Sequence, residues 1–177
     1  MRKTEVIKWC KTLLMIIVPV IMLSSCNKDD EVKADYMGTW SALATVSESG
    51  NSIQCKDKIT FTQSGFSDLL QLCDPSTGRF IDYMKLNGTM AVSGNTMNLK
   101  TTEIGVSTFD LRGYPTGSII MYKEGSDIFT SLFSQTGQSQ AFKSVYEISG
   151  SKMTLKTDNN NDGDYTDAGE TTVYTKE

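Results

Sequence analysis

The chain has 177 residues, 38% of them hydrophobic, and a formal net charge of −4. That length suits one domain and buries a core without a cross-link, while the acidic balance repels phosphate and sets nucleic acid aside as a partner. There is no histidine, which excludes Ser-His-Asp triads, Cys-His pairs and His-built zinc sites, and Gly-rich phosphate loops are missing too.

At the N-terminus, Arg2, Lys3, Lys8 and Lys11 precede an apolar run from Leu13 to Leu23, interrupted by Pro19. A run of about 11 residues is far short of the roughly 20 that span a bilayer, so the segment directs export and is then removed. Leu23-Ser24-Ser25-Cys26 follows at once. It resembles the lipobox of bacterial lipoprotein signal peptides. The resemblance implies that residues 1–25 are cleaved, and that Cys26 is lipidated and anchors the chain in a membrane. Cys26-Asn27-Lys28-Asp29-Asp30-Glu31 is similar to the surface-export signal of Bacteroidota lipoproteins. That implies an outer-membrane protein facing the cell exterior, with Lys28, Asp29, Asp30 and Glu31 as its signal. Residues 26–35 also read as a flexible polar tether. Cleavage takes away four basic residues and one acidic residue, leaving 152 residues with a net charge of −7.

From residue 36 to 177 the chain reads as strands and turns. Cys55 and Cys73 are the cysteines left once Cys10 is cleaved and Cys26 lipidated. An oxidising compartment predicts a disulfide between them, and two separate buried thiols are the alternative. Ile59-Thr60-Phe61-Thr62 alternates apolar and polar. Met84, Leu86, Met90 and Val92 repeat at period two, as do Met97 and Leu99, then Phe142, Tyr146 and Ile148, then Met153 and Leu155. Turns are predicted at Ser93-Gly94-Asn95, Pro115-Thr116-Gly117 and Ser149-Gly150-Ser151. Ser67 to Leu72 and Asp127 to Ser134 could be short helices, and Ile128-Phe129 with Leu132-Phe133 could equally pack as a strand.

Val92 to Thr101 echoes Ile148 to Thr157: a strand end, a glycine turn, then two apolar residues one position apart. Two such hairpins predict a meander that closes to hide its edges. They are either a duplicated unit or simply two hairpins.

Gly38-Thr39-Trp40 stands at the start of the first strand. It resembles the Gly-x-Trp motif of lipocalins, and Tyr146 to Gly150, Met153 to Leu155 and Val173-Tyr174 are similar to small lipocalin-like domains of Bacteroidota lipoproteins. The resemblance implies an all-β, antiparallel up-and-down barrel of about eight strands with an apolar interior. Lipocalins carry an arginine on a late strand over the tryptophan. The final strand here offers Lys176 instead.

Trp40, Phe61, Tyr83, Met84, Met90 and Met97 are the candidates to line a ligand cavity, or else to fill a plain core. Asp158-Asn159-Asn160-Asn161-Asp162-Gly163-Asp164 places oxygen side chains at alternate positions with glycine sixth. It resembles the first half of an EF-hand loop, but the twelfth position is Gly169 and Glu170 comes thirteenth. A calcium site would use Asp158, Asn160, Asp162, Asp164 and Glu170, with Asp167 as a further candidate; the alternative is a polar hairpin loop. Asp110 and Glu124 read as surface charge rather than a catalytic pair. The sequence therefore predicts no enzyme. It predicts a lipid-anchored barrel binding a small apolar or amphipathic ligand, with an accessory lipoprotein that contacts other envelope proteins as the alternative.

Overall fold

The structure is a computed structural model that describes residues 35–48, 51–136, 139–158, 162–167 and 169–177. The lipobox, Cys26 and the export signal Lys28 to Glu31 lie outside the described residues.

Among the described residues, nine strands and one helix follow in chain order: β1 (Gly38–Glu48), β2 (Asn51–Phe61), β3 (Gly65–Cys73), β4 (Phe80–Ser93), β5 (Thr96–Phe109), β6 (Pro115–Lys123), α1 (Asp127–Thr136), β7 (Ala141–Ser149), β8 (Lys152–Asp158) and β9 (Thr171–Lys176). Every pairing is antiparallel. Strands β1, β2, β3, β4, β5, β7, β8 and β9 close in that order into an eight-stranded up-and-down barrel, because β4 pairs with β5 and β9 returns to β1. Closure removes the exposed edges that an open sheet would present. The sheet has one further strand. The first half of β5 pairs with β7 over Thr96–Lys100, and its second half pairs with β6 over Glu103–Phe109.

The segment Ser67 to Leu72 is strand, not helix. Phe66, Asp68, Leu70 and Leu72 fall at period two on one face, and both edges are taken up by β2 and β4. The second ambiguous stretch is helix α1. Ser126 Oγ accepts the Phe129 N–H at 3.3 Å, and Asp127 lies in the first turn, where the helix dipole favours a negative charge. Pro115-Thr116-Gly117 opens β6 instead of making the turn. The turn lies just before it, where Asp110 Oδ1 accepts the N–H groups of Arg112 and Tyr114.

The two echoing hairpins have the same construction. Val92 faces Met97 and Ile148 faces Met153 across two-residue turns whose glycines, Gly94 and Gly150, have φ of 58° and 60°. A side chain would strain there, which is why glycine occupies both. Met97 and Met153 are both wholly buried. The next strand also docks alike: Tyr146 N–H donates to Asn95 O at 2.9 Å, and Lys176 N–H to Ser151 O at 2.8 Å.

The barrel has two unlike ends. At one end Trp40, Phe61, Phe66, Met90, Met97, Leu99, Met153 and Leu155 fill the interior. Tyr36 closes it, with its ring edge-on to Phe61 and Tyr146. Toward the other end β4 and β5 run for 14 residues each, while β7, β8 and β9 run for 9, 7 and 6. β1 pairs with β9 only at Trp40 and Ser41. The wall from β1 to β6 thus extends past the shorter strands, and among the described residues part of its inner face has no strand opposite.

Candidate functional site: a carboxyl pair inside the barrel

On the long wall, Leu70, Leu72, Ile81, Met84, Leu86 and Val106 share the inner face by register, and each stays half-buried. Val46, Cys55 and Ile104 on that wall are buried. The inner face is therefore apolar and sealed only in part.

Two carboxyl groups interrupt it. Asp57 lies between Cys55 and Ile59 on the inward face of β2, and Asp68 between Phe66 and Leu70 on that of β3. The register sets Asp57 opposite Leu70 and Asp68 opposite Ile59, so the two acids are diagonal neighbours on one face. Tyr174 of β9 completes the group. Its hydroxyl donates to Asp57 Oδ2 at 2.6 Å. On β1, the strand between them, the residue facing Asp57 is Ala42, which has little bulk to intervene.

Burial, the charge of Asp57 and a hydrogen bond to Asp57 hold the Asp68 carboxyl well above the usual carboxylate range. Two adjacent acids in a medium of low dielectric do not both ionise readily, so one retains its proton. Asp57 Oδ1 has no N–H or O–H donor among the described residues, and the Asp68 proton is the donor available to it. Burial, then the charges of Asp57 and Asp68, also push the Tyr174 hydroxyl up. Both aspartates lie deep in the barrel yet keep some solvent exposure. An ionised group in such a place costs several kcal/mol of solvation. A Leu or Val would fit the face better, so the pair marks a site.

The sequence did not single out this pair, although its signal is visible. In Cys55-x-Asp57-x-Ile59-x-Phe61 and Phe66-x-Asp68-x-Leu70-x-Leu72, an acid occupies one inward position of an otherwise apolar alternation, on two consecutive strands.

The predicted cavity residues mostly lie elsewhere. Trp40, Phe61, Met90 and Met97 belong to the packed end. Trp40 Nε1 donates to Tyr36 O at 2.8 Å, and Lys176 Nζ lies 5.0 Å above the Trp40 ring. Lys176 thus takes the place that the lipocalin resemblance gives to an arginine. Tyr83 is the extra residue of a bulge opposite Leu70 and Gln71, and its ring packs edge-on against Phe109. Of the six, Met84 alone shares the half-buried inner face. An open cleft of about 640 Å³ at the packed end is lined by Asp35, Tyr36, Val92, Gly94, Asn95, Tyr146 and Ile148, and by none of the six.

The expected disulfide is not formed: Cys55 and Cys73 are both free thiols. The register places Leu72 opposite Cys55, so Cys73, one residue further on, leaves the other face of the sheet. Burial, then the nearby charge of Cys73, pushes the Cys55 thiol up to about 12.

The acidic segment after β8 is a loop whose carboxylates serve its own backbone. Asp158 accepts the N–H groups of Asp162 and Gly163 at 3.2 and 3.1 Å, Asp164 accepts that of Thr166 at 2.9 Å, and Glu170 that of Asp167 at 3.3 Å. Asn160 lies outside the described residues. Among the described residues, no three acidic or cysteine side chains are grouped to hold a metal ion. Asp110 caps its own turn and Glu124 pairs with Lys100 at 2.9 Å, so these two acids do not meet.

The sequence matches no protein-family model and no curated protein.

Proposed function

We propose that this chain is a lipid-anchored envelope protein, facing the cell exterior, whose barrel holds a small amphipathic molecule. The observation that carries the reading is the contrast between the barrel's two halves. One is packed and capped, and the other presents Leu70, Leu72, Met84 and Leu86 half-buried around two interior carboxyl groups. Small-molecule sites combine an apolar wall with a few placed polar groups. The lipobox-like Leu23-Ser24-Ser25-Cys26 supports the anchor.

Native mass spectrometry of the protein taken from its own envelope tests the reading. A bound small molecule that leaves on denaturation is the expected result, and bare protein in every preparation contradicts it. Replacing Cys26 by Ala should abolish incorporation of labelled fatty acid. Normal labelling of that variant would overturn the anchor. An accessory role is the second reading, favoured by Leu111, Tyr114, Ile120 and Ile128, which stand exposed on the β5–β6 turn, β6 and α1. Capture of an envelope protein that Leu111→Ser and Tyr114→Ser abolish, with no small molecule in the barrel, would favour it.

A further inference from the structure

Two buried side-chain oxygens of the described residues, Asp57 Oδ1 and Thr101 Oγ1, receive no N–H or O–H donor apart from the proton that Asp68 can offer Asp57. Both belong to residues on the barrel's inner face. Thr101 is wholly buried and faces Gly88 across the β4–β5 ladder, and Gly88 faces Phe66, the inward neighbour of Asp68. Unpartnered polar groups inside a fold are rare and call for an explanation.

The hydrogen-bonding capacity of the carboxyl pair is one-sided. The Tyr174 proton is already given to Asp57 Oδ2, and the one proton Asp68 can hold faces Asp57. What remains is lone pairs, so a partner must bring donors. Among the described residues the pair also has no counter-charge. Lys56 and Lys58 flank Asp57 in the chain, but strand alternation sends them to the other face, where both pair with Glu177 at 2.7 and 2.6 Å. The inward positions facing the pair are Ala42 of β1, Ile59 of β2, Leu70 of β3 and Leu86 of β4. An anionic headgroup would meet repulsion there.

We infer that the site takes an amphipathic amine, its ammonium group on Asp57 and Asp68 and its hydrocarbon chain along Leu70, Leu72, Met84 and Leu86. This rests on the reading of the barrel as a ligand holder and names the ligand's chemistry. The ammonium brings three N–H donors and the missing positive charge. As it docks, the proton of Asp68 passes to solvent and no bond of the amine is broken. Tyr174 from β9, Cys55 on the same face of β2, Tyr122 on β6 and, at the packed end, Tyr146 on β7 are titratable groups that face inward among the described residues. None is a cation.

Calorimetry tests this on the protein as cells process it, held in amphipol, with amphipol alone as control. The probes are hexylamine, hexanol and hexanoate at pH 7, in two buffers of different protonation enthalpy. Hexylamine should bind about tenfold or more tighter than hexanol, hexanoate should bind weakest, and the amine alone should release a proton. Asp57→Asn and Asp68→Asn should weaken hexylamine about tenfold or more and hexanol far less, so that the preference for the amine is lost. Equal binding of amine and alcohol, or tighter binding of hexanoate, overturns the amine and spares the apolar site. If none of the three binds, the ligand-holding reading falls with it. Should the Asn variants fail to fold, the ranking of head groups on the unsubstituted protein decides alone.

Discussion

Trp40 anchors the closed end of the barrel. It is wholly buried, tied to Tyr36 by its indole N–H and covered by Lys176. Trp40→Ala should cost about 3–5 kcal/mol in denaturant unfolding. Lys176→Ala removes the cation over the ring and an exposed hydrogen bond to Asp35 O, and should cost about 0.5–1 kcal/mol. A loss for Trp40→Ala no larger than that for Lys176→Ala would contradict this placement. Asp68 works in the opposite sense. Folded, it keeps its proton at pH values where an unfolded aspartate, with its ordinary value of 3.8, has lost it. Over that window the folded chain binds more protons, so the Asp68 contribution to stability is lost as pH rises. Asp68→Asn should therefore flatten the fall in melting temperature from pH 4 to pH 7. Parallel profiles for the two proteins would mean that Asp68 is not held protonated. The two thiols make a third case. Both should be alkylated in denatured, unreduced protein. In the folded state iodoacetamide at pH 8 should leave Cys55 intact, since its thiol is pushed up to about 12 and reactivity requires thiolate. Rapid labelling of Cys55 would count against its burial.

At the scale of the element, alternation and glycine decided what could be read in advance. Met97 with Leu99 and Met153 with Leu155 announce their strands, and Gly94 and Gly150 announce the turns before them, because one buried face and one tight turn leave a periodic trace. The stretch from Ser67 to Leu72 left no such trace. Leu69, Leu70 and Leu72 put apolar residues on both faces, so the pattern does not separate helix from strand, and pairing with β2 and β4 settles it. The bulges at Leu70/Gln71 and Asn87/Gly88 were equally silent, because a register shift is set by the partner strand. Gly88 shows how tight that region is. A Cβ there would meet Lys100 O and the Phe66 ring. Gly88→Ala should destabilise by about 1–3 kcal/mol, as overpacked cores do, whereas Gly125, with open space around it, lies at φ 88° and should respond through backbone strain alone. Equal tolerance of Gly88→Ala and a surface Ala substitution would show that the β3–β4–β5 contact is looser than described.

For the whole molecule, the barrel itself was legible and its division into two halves was not. Trp40, Phe61, Met90 and Met97 look like cavity lining in a sequence, yet they fill the packed end, since inward residues have the same character whether or not anything faces them. What separates the halves is the unequal length of the strands, and that depends on where β7, β8 and β9 stop against β4 and β5. The carboxyl pair had to wait for register, because Asp57 and Asp68 become neighbours only when β2 and β3 are aligned. The open half should receive a ligand and the packed half should not. Methyl NMR of the processed protein in amphipol, labelled at Met and Leu and titrated with hexylamine, tests it most directly. Shifts should gather at Met84, Leu70, Leu72 and Leu86 and leave Met97, Met153, Leu99 and Leu155 in place. Shifts centred on the second group, or on neither, would contradict the account.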